Sequence, residues 1–126
     1  MSYRNKFEEN TAKALNANGI PFSYEDTKIN YTVSGTYLAD FRVITKSGKT
    51  IFIETKGNGR SFDHISRRKM IAVKEQNPEI DLRIVFYSDG KIGPKRKDGT
   101  HMRQGDWADK HGFTWSIRYI PEEWYE

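Results

Sequence analysis

Cysteine is absent from this chain of 126 residues. That excludes a disulfide framework and any thiolate metal site, and it fits a reducing cytoplasm. Long apolar runs are absent too. None approaches the roughly 20 residues that a membrane-crossing helix needs, so no membrane partner is expected. The opening stretch Met1-Ser2-Tyr3-Arg4-Asn5-Lys6 leads into no apolar h-region, and no secretion signal is expected. No internal repeat, low-complexity tract or linker stands out, and no nucleotide cofactor is expected.

What the chain does have is a globular composition, 36% hydrophobic and 30% charged, outside the range of disordered chains. Its length suits one domain with a real core, residues 1–126, and is too short for two. Lysine and arginine outnumber aspartate and glutamate by 21 to 17, a net charge of +4. A basic balance favours a polyanionic partner, because clustered cations replace condensed counterions on phosphates. The distribution says more than the total. Arg67, Arg68 and Lys69 form one cluster; Lys91, Lys95, Arg96, Lys97 and Arg103 form another in a glycine-rich stretch.

The periodicities predict a mixed α/β domain. Tyr3 to Asn18 reads as a helix with a partly buried face of Phe7, Ala12, Ala14 and Leu15, stopped by Gly19. Phe22 to Glu25 and Ile29 to Val33 read as short strands, with a turn at Ser34-Gly35. Tyr37 to Ile44 reads as one strand, with Tyr37, Ala39, Phe41 and Val43 on one face. Ser47-Gly48 then links it to a strand from Thr50 to Thr55, an antiparallel hairpin. Gly57, Asn58 and Gly59 break the pattern. Asp63 is a suitable N-cap for a helix running to about Asn77, where Pro78 ends it. Leu82 to Tyr87 reads as a buried strand returning parallel to the one before the helix. Ser88 to Arg103 is a long polar loop. A short helix from Gly105 to His111, an edge strand from Thr114 to Ile120 and a closing turn at Pro121-Glu122-Glu123-Trp124 complete the chain.

The chemistry is carried by Asp40 on one strand of the hairpin and Glu54-Thr55-Lys56 on the other. Residues 54 and 56 leave the same face of a strand, and Asp40 lies within reach if the register is right. Hard divalent cations take one or two carboxylates and complete their shell with water and substrate phosphate. Asp40 and Glu54 meet that need, and the backbone carbonyl of Thr55 is a further candidate ligand. Lys56 could orient or deprotonate an attacking water, or stabilise the charge that grows on a phosphate. The same residues also read as a solvated strand face with a salt bridge. The apolar flanks, Ile51-Phe52-Ile53 before Glu54 and Leu38-Ala39 with Phe41 around Asp40, favour the chemical reading. Charges at the ends of buried strands are costly unless paired or metal-bound.

Several stretches, in order, resemble the phage endonuclease I family of Holliday-junction resolvases, a branch of the PD-(D/E)xK nucleases. They are Phe7-Glu8-Glu9 with Asn18-Gly19-Ile20 and Phe22-Ser23-Tyr24-Glu25; Tyr37-Leu38-Ala39-Asp40-Phe41; Ile53-Glu54-Thr55-Lys56-Gly57; Arg67-Arg68-Lys69 with Glu75-Gln76-Asn77-Pro78-Glu79; Leu82-Arg83-Ile84-Val85-Phe86; and Ala108-Asp109-Lys110-His111-Gly112 before Ile120-Pro121-Glu122-Glu123-Trp124. The resemblance runs from about Phe7 to Trp124. It implies a restriction-endonuclease-like fold, a mixed sheet flanked by helices. It implies a homodimer, acting in the cytoplasm of a host cell, that cuts four-way junctions and other branched double-stranded DNA with Mg²⁺ or Mn²⁺. It places Asp40, Glu54 and Lys56 at the central catalytic positions and adds Glu8 from the first helix, which can complete a site built from two subunits.

The chain departs from the family pattern in three ways. The stretch from Tyr24 to Asp40 is shorter than in the family's best-known member, Ala39 stands where the class often has proline, and basic extensions at both ends are largely missing. A nicking or less selective endonuclease on the same core, and a non-catalytic DNA-binding module, are the alternatives. Arg67-Arg68-Lys69 and the basic loop from Lys91 to Arg103 are the expected DNA contacts, the first beside the cleaved phosphate and the second as an arm. Trp107, Trp115 and Trp124 read as core or interface residues, and no histidine is assigned as a ligand.

Overall fold

The hairpin that carries the acidic motif lies at the middle of the fold. Our computed structural model describes residues 2–31, 35–57 and 59–126. Thr32, Val33, Ser34 and Asn58, where parts of an expected strand, turn and break fall, lie outside the described residues.

The chain opens with α1 (Lys6–Ala17). It begins at Lys6, not Tyr3, because Asn5 adopts an extended backbone and its side chain accepts from the Glu8 N–H at 2.8 Å, satisfying one of the orphan donors of the first turn. Gly19, with φ of +64°, ends it in the left-handed conformation that glycine adopts without strain. There follow β1 (Phe22–Tyr24), β2 (Lys28–Asn30), β3 (Thr36–Leu38), β4 (Phe41–Ile44) and β5 (Thr50–Lys56). A 3₁₀ turn (Gly59–Phe62) precedes α2 (His64–Gln76). Asp63 caps α2 as expected, accepting from the Ser66 N–H at 2.8 Å. Then come β6 (Leu82–Phe86), β7 (Lys91–Ile92), β8 (Met102–Arg103), α3 (Gln104–Lys110), β9 (Trp115–Ile117) and a last 3₁₀ turn (Glu122–Tyr125).

Among the described residues, five strands form a mixed sheet in the order β1-β4-β5-β6-β9. β1, β4 and β5 are antiparallel; β5, β6 and β9 are parallel, with α2 as the crossover between β5 and β6. The α/β fold class and the parallel return are as the periodicity predicts. Alternation along β5 divides the core. Ile51 and Ile53 pack with α1 residues Ala12 and Leu15 and with Trp124. Phe52 faces the other side, with Met70 and Val73 of α2 and with Trp107 and Ala108 of α3. No helix among the described residues is long and apolar enough to cross a membrane.

Two expectations need correction. Tyr37 to Ile44 is not one strand with one buried face. It is two strands, β3 pairing with β2 and β4 pairing with β5, and the chain changes sides between them. Tyr37 and Ala39 are buried in the α2 side of the core, Phe41 and Val43 in the α1 side. The interruption falls at Asp40, whose backbone N–H donates to the Glu54 carboxylate at 3.2 Å. A strand ladder is surrendered there to a side chain. The second correction concerns Ser88 to Arg103. It contains the small antiparallel pair β7–β8, and its tip is closed by Arg96 N–H to the Thr100 carbonyl at 2.7 Å and by Thr100 to Asp98. It is a built hairpin arm.

Candidate active site

The register Phe41↔Ile53 brings Asp40 next to Glu54 at the end of the β4–β5 hairpin. Glu54 and Lys56, two apart on β5, leave the same face, and Lys56 Nζ lies 3.3 Å from Glu54 Oε2. Asp40 is fully buried and Glu54 is nearly so. Thr55, on the opposite face, holds the Asp40 carboxylate in place: its N–H and its hydroxyl both donate to Asp40 Oδ2, at 2.9 and 2.8 Å.

The other oxygen of Asp40 points towards α1. There Glu8 is 2% exposed although it sits on a helix surface, and the Tyr24 hydroxyl donates to Glu8 Oε1. Glu8 of this same chain thus reaches the site. One carboxylate oxygen from each of Glu8, Glu25 and Asp40 lies within 4.8 Å of the others. Glu54 falls outside that trio, with its two oxygens turned to the Asp40 N–H and to Lys56. Burial, and after it the charge of Glu54, pushes the Asp40 carboxyl up to about 8. Burial also raises Glu54, against the opposing charge of Lys56. The Tyr37 hydroxyl is buried beside Glu54. Burial and that carboxylate push its pKa up, yet the hydroxyl is not placed for a hydrogen bond of ordinary geometry. Carboxylates so crowded and so dry require a cation.

One cation is already among them. Arg4 Nη2 lies 2.8 Å from Glu8 Oε2 and 2.5 Å from Asp40 Oδ1, and Arg4 Nε lies 2.6 Å from Glu25 Oε1. Burial disfavours the charged guanidinium, but the Tyr24 hydroxyl and the three carboxylates outweigh it and raise its pKa. The donor set fits a hard divalent ion. It consists of carboxylate oxygens, at a separation that metal–oxygen bonds of about 2.0–2.6 Å can span.

An open cleft of about 880 Å³ leads to this cluster, lined by Glu8, Glu54, Thr55, Lys56, Gly57 and Lys69 among others. The Gly57 carbonyl at its wall accepts from Gln104, a buried residue of α3, at 3.2 Å. The expected DNA contacts divide. Lys69 lines the cleft. Arg67 instead donates to the Phe62 carbonyl at 2.7 Å and braces the turn before α2, while Arg68 is exposed around the helix and lines a separate hollow. Lys91, Lys95, Arg96, Lys97 and Arg103 are all exposed on the hairpin arm, and none of them lines the cleft. Arg103 donates to the Asp89 carbonyl at 2.9 Å and ties the arm to its base. Sequence reasoning passed over Arg4, Glu25 and Tyr24. The signal for Arg4 was its position one helical turn before Glu8; for Tyr24 and Glu25 it was their place in the family-like stretch Phe22-Ser23-Tyr24-Glu25.

A family model described as phage endonuclease I matches residues 1–126. The chain is 36% identical over 126 residues to endonuclease I of Escherichia phage T7, covering 98% of this chain and 78% of that protein. The chain belongs to the phage endonuclease I family. It is likewise 35% identical over 123 residues to endodeoxyribonuclease 1 of Enterobacteria phage T3, covering 95% of this chain and 74% of that one. The family match spans α1, the hairpin and α3 together, so every residue of the acidic cluster lies within it.

Proposed function

We propose that the protein is a metal-dependent, structure-selective DNA endonuclease that hydrolyses phosphodiester bonds in branched DNA such as four-way junctions. Membership of the phage endonuclease I family makes it a DNA-hydrolysing enzyme. The observation that carries the finer reading is the cluster itself: buried Asp40, Glu54 and Glu8 beside Lys56, at the base of an open cleft.

In this reading Asp40 and Glu8 would hold a divalent ion, Mg²⁺ or Mn²⁺, and Glu54, once turned from the Asp40 N–H and Lys56, would complete the protein's share with the Thr55 carbonyl. When bound, such an ion supplies Lewis acidity and positive charge at the scissile phosphate. Thr55, through its N–H and hydroxyl, keeps Asp40 aimed at it. Lys56, freed from Glu54, orients the attacking water and stabilises charge on the phosphoryl oxygens. Lys69 grips the backbone beside the cut. The basic arm reaches a more distant stretch of duplex, which suits a substrate with more than one helical branch. A homodimer would present two such clefts, one to each of two strands.

The test is cleavage of a labelled four-way junction beside its linear duplex control, with Mg²⁺, for the wild type and Glu54→Ala. Preferential cutting of the junction with an inactive mutant is the expected result. Equal cutting of both substrates would remove the branch selectivity and leave a less selective nuclease. No cutting with either metal would overturn the reading in favour of a DNA-binding module.

A further inference from the structure

Arg4 stands where a metal ion would stand. A single nitrogen, Nη2, contacts Glu8 and Asp40 at 2.8 and 2.5 Å, close to metal–oxygen bonding distance. It uses the Asp40 oxygen that Thr55 leaves open, since Oδ2 is already occupied by two donors. A guanidinium nitrogen and a divalent ion cannot share those inward-facing oxygens. Yet the side chain is 60% exposed and lines the mouth of the cleft, so a way out is open to it. Two contacts would survive its leaving: Nε on Glu25 at 2.6 Å, and the Arg4 backbone N–H on the Tyr24 hydroxyl at 3.1 Å. Glu25 itself is held with φ of +49°, a costly backbone for a residue with a side chain, and its N–H is bonded to the Asp40 carbonyl at 3.0 Å. Its carboxylate is thereby fixed to the outer side of Arg4.

We propose that Arg4 is a positioning residue that serves as the resident counter-cation of the metal-free site. A divalent ion binds by displacing Nη2 from Asp40 and Glu8. The guanidinium then pivots on Glu25 to the cleft mouth, where it meets a DNA phosphate. Metal and DNA consequently assist each other: the ion pushes Arg4 out, and a phosphate draws it out. This inference rests on the metal-site reading of Asp40 and Glu8 given above.

The experiment is Mn²⁺ binding without DNA, by calorimetry or by the loss of the free-ion paramagnetic resonance signal, for wild type, Arg4→Gln and Asp40→Asn. Removing the competing cation should tighten Mn²⁺ binding by about tenfold or more, since one positive charge at contact distance is lost. It should also lower the melting temperature in chelator and restore it with Mn²⁺. If Arg4→Gln binds Mn²⁺ no more tightly than wild type while Asp40→Asn loses binding, the metal site stands and the counter-cation role is overturned. If wild type and Asp40→Asn bind alike, the metal-site reading fails and takes this inference with it. Should Arg4→Gln fail to fold in chelator, Arg4→Lys keeps a charge without the bridge. With the competing charge kept, it should bind Mn²⁺ about as tightly as wild type, and binding tightened by about tenfold despite that charge would overturn the role.

Discussion

Asp40 and Asp81 lie towards opposite ends of the β5–β6 pair and live opposite lives. Asp81 precedes β6, half-buried, and is met by Arg83 through two bonds of 2.9 Å and by Lys49 at 2.7 Å. Those partners, Arg83 foremost, hold its carboxyl down to about 2. Asp40 is buried further and also has a cation in contact, but burial, Glu54 and Glu8 prevail and push it up to about 8. The acid at the scaffold end is matched by its neighbours. The acid at the cleft end is left in excess, in a cluster where three carboxylates converge on one arginine. Such mismatch is what a functional site keeps and a structural site removes. The lesson is that the count of partners matters less than whether burial and like charges leave a group wanting one more cation.

The largest effect should come from breaking the mismatched end. Asp40→Asn removes the carboxylate to which Thr55, Arg4 and the proposed ion all turn. Metal-dependent cleavage should fall by at least on the order of 10²–10³-fold. Stability should respond differently. A carboxyl whose folded pKa lies near 8 keeps a proton that the unfolded chain gives up near 4, so its contribution to stability declines as pH rises from about 4 to 8. Melting curves in chelator should therefore fall with pH across that window in the wild type and less steeply in Asp40→Asn. An unchanged slope would mean that Asp40 is ionised throughout.

An intermediate effect should come from the support beneath the site. Gly105 lies against the Trp115 ring, and a Cβ there would stand 2.4 Å from it. Gly105→Ala should cost about 1–3 kcal/mol through overpacking, read as a lower midpoint in urea. Because Gly105 adjoins Gln104, which holds the Gly57 carbonyl at the cleft wall, cleavage well below the melting temperature should also weaken. Full activity would show that α3 supports the core and not the cleft.

The smallest effect belongs to the matched end. Asp81→Asn should cost about 1 kcal/mol or less, since Lys49 is exposed and the pairs are partly screened. It should leave cleavage intact. With its folded pKa held below the unfolded value, Asp81 contributes stability above about pH 4 that disappears as pH falls towards 2. The mutant should lose that dependence, and a mutant equally sensitive to acid would show the pairs to be idle.

Much of the fold was legible in the sequence because it is written in local rules. The tight turn at Ser47-Gly48 and the apolar run Ile51-Phe52-Ile53 identified β5, the capping aspartate identified the start of α2, and helix-then-apolar-run identified a parallel β6. The pair Glu54 and Lys56 followed from the period of two. Glu8 was legible only through family resemblance, since by position it is an ordinary helix-surface acid. The break at Asp40 was not legible, because alternation continues unbroken from Tyr37 to Val43 while the chain switches faces beneath it. The run Arg67-Arg68-Lys69 read as one patch, yet Arg67 turns back to the Phe62 carbonyl, Arg68 and Lys69 share a separate hollow, and of the three only Lys69 also faces the cleft.

The sequence by itself thus determined the central strand β5 and the parallel return of β6, where α2 begins and ends, and which residue types could carry phosphodiester chemistry. Each of these depends on neighbours a few positions away. Tertiary structure alone decided what surrounds the buried acids of the cleft. Arg4 meets Asp40 across 36 positions, Tyr24 meets Glu8 across 16, and Gln104 meets Gly57 across 47. No periodicity encodes such contacts, because the energy of burying a charge depends on everything that excludes water from it.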